Sequence, residues 1–149
     1  MDSEISIQDT SKAELPWICA SEKAVPAGSI IAWSRERHIQ HFAQSDIRYK
    51  TIVQGGDSVG FIIFALASDP ESVELRRIVV VRPGCGIGKR ALALAEVVCV
   101  EEFNRRRIWL DVFSDNLIAR KLYQSCGYTR FGRSIHDDRS LILLEKWLK

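Results

Sequence analysis

Pro83-Gly84-Cys85-Gly86-Ile87-Gly88-Lys89-Arg90 is the stretch on which the reading of this chain turns. Before it runs Val73 to Val81, a strand-like segment that ends in the wholly apolar Ile78-Val79-Val80-Val81. Such a run fits a central strand covered on both faces. After it, Ala91 to Phe103 is apolar on most faces and reads as a largely buried helix. Glycines lack a Cβ, so the backbone can take positive φ and come close to a ligand. The start of a helix adds unpaired N–H groups and the positive end of its dipole. Loop and helix start together make a phosphate site. Two known phosphate loops fail on spacing. A Walker A loop has four residues between its glycines, then Lys and Ser/Thr. Here only three residues separate Gly84 from Gly88, and Lys89 is followed by Arg90. A dinucleotide-binding turn is G-x-G-x-x-G, and here Gly88 comes one residue early.

Downstream of the loop, Arg105-Arg106-Arg107 is placed to close the apolar helix, since cations suit a helix C-terminus. Ile108 to Val112 reads as a strand. Ser114-Asp115-Asn116 opens a helix from Leu117 to Gln124, and Gly127 ends it. Tyr128 to Phe131 and Leu141 to Trp147 are expected as closing strands, with His136-Asp137-Asp138 as the turn between them. Upstream, Ile47 to Gln54 and Val59 to Ala67 form a hairpin about Gly55-Gly56-Asp57. Ser34 offers an N-cap to a helix from Arg35 to Ala43, with Ile39 and Phe42 spaced for one face. Pro26-Ala27-Gly28 is a turn, Ser11 to Leu15 a helix start, and Ile5 to Gln8 a short strand. The sum is an α/β chain with a hairpin-rich front half and a β-α-β core. No repeat, linker or composition break divides it, so residues 1–149 are expected to form one domain.

Strand, G-x-G-x-G loop and apolar helix together resemble the acetyl-CoA motif of the GNAT superfamily of N-acetyltransferases. Leu110-Asp111-Val112-Phe113-Ser114-Asp115-Asn116 is similar to that family's strand end, L-x-V-x-x-x-N. Ala119, Leu122-Tyr123 and Gly127-Tyr128 resemble the helix that follows it. Val59-Gly60-Phe61 and Glu74-Leu75 resemble two strands that precede the loop. The likeness runs from Val59 to Phe131. It departs at Pro83, where the family usually carries Gln or Arg. The resemblance implies a mixed, twisted central sheet with helices on both faces. It implies that the strand ending at Val81 and the strand beginning at Ile108 splay apart. The pantetheine arm of acetyl-CoA would lie in that gap, bonded to backbone near Val79, Val80 and Val81. Pyrophosphate would sit over Gly84, Cys85, Gly86, Ile87, Gly88 and Lys89, with Lys89 and Arg90 supplying charge.

Counts set the outer limits. The chain has 149 residues, of which 46% are apolar and 27% charged, as in an ordinary globular domain. With 21 Lys and Arg against 19 Asp and Glu, the net charge of +2 gives no electrostatic case for a nucleic-acid binder. No apolar run approaches the about 20 residues of a membrane-spanning helix. Met1-Asp2-Ser3-Glu4 lacks the basic start of a secretory signal, so a cytoplasmic location is expected. Cys19, Cys85, Cys99 and Cys126 form no C-x-x-C pair, so neither a zinc site nor a disulfide framework is expected. Cys85 falls where a helix N-terminus can lower a thiol pKa, but no histidine pairs with it in the sequence.

Acetyl transfer to an amine needs a base, an oxyanion donor and an acid. An alkylamine has a pKa of about 10.4 and is mostly protonated at neutral pH. A base must deliver it neutral. Strand N–H groups near Val79 are candidates for the oxyanion. Tyr123 stands at the family's tyrosine position, and a phenol suits protonation of a leaving thiolate. Asn116 would cap its helix and orient the cofactor or a water. Glu74 and Asp111 are the candidate bases, with Glu74 placed slightly ahead. Strand alternation puts Glu74, Arg76, Ile78 and Val80 on one face, and Trp109, Asp111 and Phe113 on another. A carboxylate between two aromatic residues is expected to have a raised pKa. His38, His41 and His136 read as surface residues, with His136 in a loop near the acceptor cleft. The acceptor would be a primary amine of a small molecule or of a protein N-terminus or lysine. The alternative is a CoA-binding sensor of the same fold without catalysis. A nucleotide-binding protein is a second rival. An exposed edge near Trp147 would suit a homodimer.

Overall fold

The computed structural model describes residues 4–25, 29–82 and 86–149. Among the described residues seven strands form one mixed sheet. They are β1 (Ile5–Asp9), β2 (Ile47–Gln54), β3 (Asp57–Leu66), β4 (Ser72–Val80), β5 (Arg107–Phe113), β6 (Thr129–His136) and β7 (Arg139–Trp147). Their order across the sheet is β1-β2-β3-β4-β5-β7-β6. Among the described residues four α-helices accompany them, α1 (Leu15–Ala24), α2 (Arg35–Phe42), α3 (Ile87–Glu101) and α4 (Leu117–Ser125), with one 3-10 turn at Lys12–Glu14. This is the expected mixed α/β architecture.

Local chemistry explains most boundaries. Ser34 accepts a hydrogen bond from Arg37 N–H and caps α2. Asn116 accepts from Ala119 N–H at 3.2 Å and caps α4. Ser11 and Glu14 form a capping box ahead of α1, and Pro16 sits in its first turn, where a missing N–H costs nothing. The β2–β3 turn places Gly55 and Gly56 at positive φ. The β6–β7 turn is Asp137-Asp138, both in the left-handed region that short polar residues tolerate.

Two apolar clusters flank the sheet. One joins Ile62, Phe64, Leu75 and Leu110 to Ile87, Ala91, Leu92 and Ala95 of α3. The other joins Phe61, Ile63 and Val79 to Leu15 and Ile18 of α1 and to Trp33. Helices therefore lie on both faces, as expected. Among the described residues, no helix is long and apolar enough to cross a membrane.

Several expectations are corrected. The arginine run does not cap α3, which ends at Glu101. Arg105 instead donates to the carbonyls of Ala67, Asp69 and Ser72, and Arg107 begins β5 and pairs with Glu145 at 2.6 Å. α2 buries His38 completely and leaves Ile39 partly exposed. β6 runs on to His136, well beyond Phe131, because the hairpin with β7 continues up to its turn. The sheet edges are β1 and β6. Trp147 lies on β7, one strand further in. On β4 a bulge pairs Leu75 with Phe64 but Arg77 with Ile63. The bulge breaks the expected alternation. Ile78 and Val80 turn towards the α3 cluster, whereas Val79 joins the cluster on the α1 side.

Candidate active site

β4 and β5 are parallel neighbours at three positions only: Ser72 with Arg107, Val73 with Ile108, and Glu74 with Trp109. Beyond Glu74 and Trp109 they part. β3 stays with β4 up to Val80, and β7 stays with β5 up to Phe113. The sheet therefore opens along one seam, as the splay read from the sequence requires. A cavity of about 420 Å³ fills the opening. Glu74, Asp111, Asn116 and Tyr123 all line it.

Backbone direction matters at this seam. Val81 N–H donates to Val59 O on β3 at 2.8 Å. Polar groups of a strand alternate sides, so those of Val80 and Ile78 point away from β3 and into the opening. Val79 lines the cavity while its own N–H and C=O turn to β3. Gly60 permits the close pairing of β3 with β4 here, since a Cβ on it would stand 2.3 Å from Val79 O.

α3 begins close to α4, whose Ala119 and Tyr123 line the opening. Gly86 takes φ +70 as its N-cap, a conformation that suits glycine. Ile87 is buried and anchors the first turn, while Lys89 and Arg90 are exposed. α3 and α4 approach at Gly88, where a Cβ would meet Leu122 at 3.5 Å. Pro83, Gly84 and Cys85 lie outside the described residues.

The two carboxylates differ. Glu74 is paired with Arg76 at 3.0 Å. Asp111 has no ion-pair partner among the described residues. Desolvation by the cleft walls, and then the Glu74 charge, push its pKa above the usual aspartate value. Tyr123 is buried, its ring 5.9 Å from that of Tyr128. Burial, and then the Asp111 charge, raise the pKa of the phenol, so it holds its proton. His136 stands at the end of β6 and lines the cavity. It is half exposed and 3.3 Å from Asp137.

Apart from Arg77, the far wall comes from residues to which the sequence reading gave no place in the site. Trp33, Ile30 and Ile31 line it, with Arg37 of α2 and Arg77 of β4. Arg77 Cζ stands 4.1 Å over the Trp33 ring and Arg37 Cζ 4.7 Å over it. Arg77 also donates to the Ile31 carbonyl and, at 2.5 Å, to Glu22. Glu22 is fully enclosed and accepts from Trp33 N–H at 3.1 Å and His38 Nε2 at 2.6 Å. A carboxylate only accepts, so His38 Nε2 carries the proton, and Nδ1 faces the Tyr49 hydroxyl at 2.7 Å. Burial alone raises the pKa of Glu22. The His38 hydrogen bond and Arg77 outweigh it and hold the carboxyl below its ordinary value. A signal for this network was present: Leu15, Ile18 and Glu22 follow the spacing of a buried helix face.

Comparisons with known proteins agree with this fold. The profile of the Acetyltransferase (GNAT) family matches residues 13–128. The chain belongs to that family. Its fold is shared by the spermidine N-acetyltransferase of Vibrio cholerae solved with CoA and spermine, at TM-score 0.81 and 15% identity over 96% of this chain and 95% of that one. The spermidine/spermine N-acetyltransferase of the same organism, solved with manganese ions, gives TM-score 0.77 and 16% identity over 97% and 92%. Among curated proteins, none matches the sequence significantly.

Proposed function

We propose that the protein transfers an acetyl group from acetyl-CoA directly to a primary amine, with both substrates bound at once. The observation that carries this reading is the seam between β4 and β5. It brings Tyr123, Asn116 and two carboxylates around one cavity, and α3 starts close to the α4 that lines it. The pantetheine arm would run along the open edge of β4 at Val79, Val80 and Val81. The pyrophosphate would meet the start of α3, where Gly86 and Ile87 present backbone N–H groups. Lys89 and Arg90 add positive charge there.

Asp111 is the preferred base, a reversal of the order read from the sequence, because Glu74 is committed to Arg76. Asp111 takes a proton from the ammonium group. The free amine attacks the thioester carbon, forming the N–C bond. The oxyanion is held by backbone N–H from Val80. The C–S bond then breaks and the sulfur takes the Tyr123 proton. Tyr123 regains a proton from the new amide nitrogen, and solvent removes the one on Asp111. The half-exposed His136 stands where that proton leaves.

The test is release of free CoA thiol from acetyl-CoA with a panel of primary amines, with the acetylated product identified by mass. Amine-dependent release supports the reading. Binding of acetyl-CoA without transfer to any amine supports the rival reading, a CoA-binding sensor.

A further inference from the structure

The acceptor end of the cavity carries a charge pattern of its own. Three guanidinium groups line it: Arg37, Arg76 and Arg77. Arg76 is balanced by Glu74 at 3.0 Å and Arg77 by Glu22 at 2.5 Å. Arg37 is balanced by no carboxylate among the described residues. Its only side-chain partner there is the Trp33 ring. One indole thus sits against two cations, with one counter-charge between them. The surrounding field is positive. Desolvation, and then the nearby arginines, depress the pKa of His41, whose ring lies 4.3 Å from Trp33. Asp111 lines the same cavity and is the carboxylate there without an ion-pair partner among the described residues.

A polyamine would need carboxylates along its length, and would meet Arg37 at the wall. The ammonium groups of a polyamine and the Arg37 guanidinium repel one another. An amine joined to an anionic group fits both ends. Its ammonium faces Asp111 and its anion faces Arg37, whose planar fork binds carboxylate or phosphate.

We infer that the acceptor is a small primary amine that also bears a negative group, of the amino-carboxylate or phospho-amine kind, with Arg37 as its anion-binding residue. This rests on the acetyl-transfer reading and narrows it.

The experiment compares kcat/KM for glycine, β-alanine, γ-aminobutyrate and O-phosphoethanolamine with that for butylamine and spermidine. Acetyl-CoA is saturating throughout. The expected result is a preference for at least one anionic amine over both uncharged-tail and polycationic amines. Its best chain length reports the span from Asp111 to Arg37, and carboxylate against phosphate reports which anion is read. Arg37→Gln is expected to raise KM for the preferred acceptor about tenfold or more. KM for acetyl-CoA and for butylamine should not move, and Arg37→Lys should recover part of the loss. A higher kcat/KM for spermidine overturns the inference while leaving acetyl transfer intact. An Arg37→Gln effect equal for all amines also overturns it, by showing that Arg37 only packs on Trp33. Transfer to none of the six amines, with acetyl-CoA bound, brings down the transfer reading and this inference with it.

Discussion

Glu74 and Trp109 are the last residues at which β4 and β5 stand side by side. Asp111, two residues beyond Trp109 on the same strand, already faces an open seam. That position makes Asp111 the carboxylate with the raised pKa. Asp111→Asn is expected to lower kcat and to remove the acid limb of the kcat/KM profile. In the wild type that limb should lie above the ordinary aspartate value of about 3.9. A profile unchanged by the substitution contradicts the role.

The same shift has a stability consequence. The folded state holds the Asp111 proton more tightly than the unfolded chain does. Its favourable contribution is full below the unfolded pKa, about 3.9, and is lost as pH rises through the folded value. Asp111→Asn should therefore equal or exceed the wild type in thermal stability at neutral pH. The advantage should fade towards pH 3. Melting curves across pH measure this directly.

Tyr123 tests the acid. Its hydroxyl has no hydrogen-bond partner among the described residues, so Tyr123→Phe should melt close to the wild type. Loss of a general acid is expected to lower kcat about a hundredfold or more, with KM for acetyl-CoA little changed. A large fall in melting temperature with unchanged kcat would point to packing alone.

Glu22 tests the wall behind Trp33. Removing one partner of a buried ion pair costs about 3–5 kcal/mol. Glu22→Gln should therefore lower the melting temperature by roughly 10 °C for a domain of this size. Glu22 has a depressed pKa, so its contribution is present above the unfolded value of about 4.3. It is lost as pH falls through the folded one. The gap between variant and wild type should close in acid. A gap that stays constant with pH contradicts the ion-pair account.

Gly60 tests the strand pairing beside the seam. Alanine there brings a Cβ to 2.3 Å from Val79 O, which only backbone movement relieves. Gly60→Ala is expected to cost about 1–3 kcal/mol, read by denaturant unfolding.

The strand–helix–strand–helix order between Val73 and Gly127 was legible because its signals are local. A glycine spacing, a capping Asn116 and a terminal Gly127 each act within a few residues of themselves. The β4 bulge was not legible, since nothing in Leu75-Arg76-Arg77 marks which residue β3 will skip. The buried network was harder still. Glu22 and Arg77 are separated by most of the front half of the sheet, and a charged residue looks solvated until its partner is known. Glu74 and Asp111 were both found by strand alternation. Their unequal pairing depends on Arg76, which only the folded chain brings to Glu74.

The central claim is that the seam between β4 and β5 holds acetyl-CoA. The most direct measurement is the melting temperature of the full chain with and without acetyl-CoA, with ATP and NADH as controls. At one hundred times its dissociation constant, a ligand stabilises the fold by about 2.7 kcal/mol, which is roughly 5–10 °C for a domain of this size. The account predicts a shift of that order with acetyl-CoA and none with the two controls. No shift with acetyl-CoA at concentrations well above micromolar, or an equal shift with ATP, would contradict it.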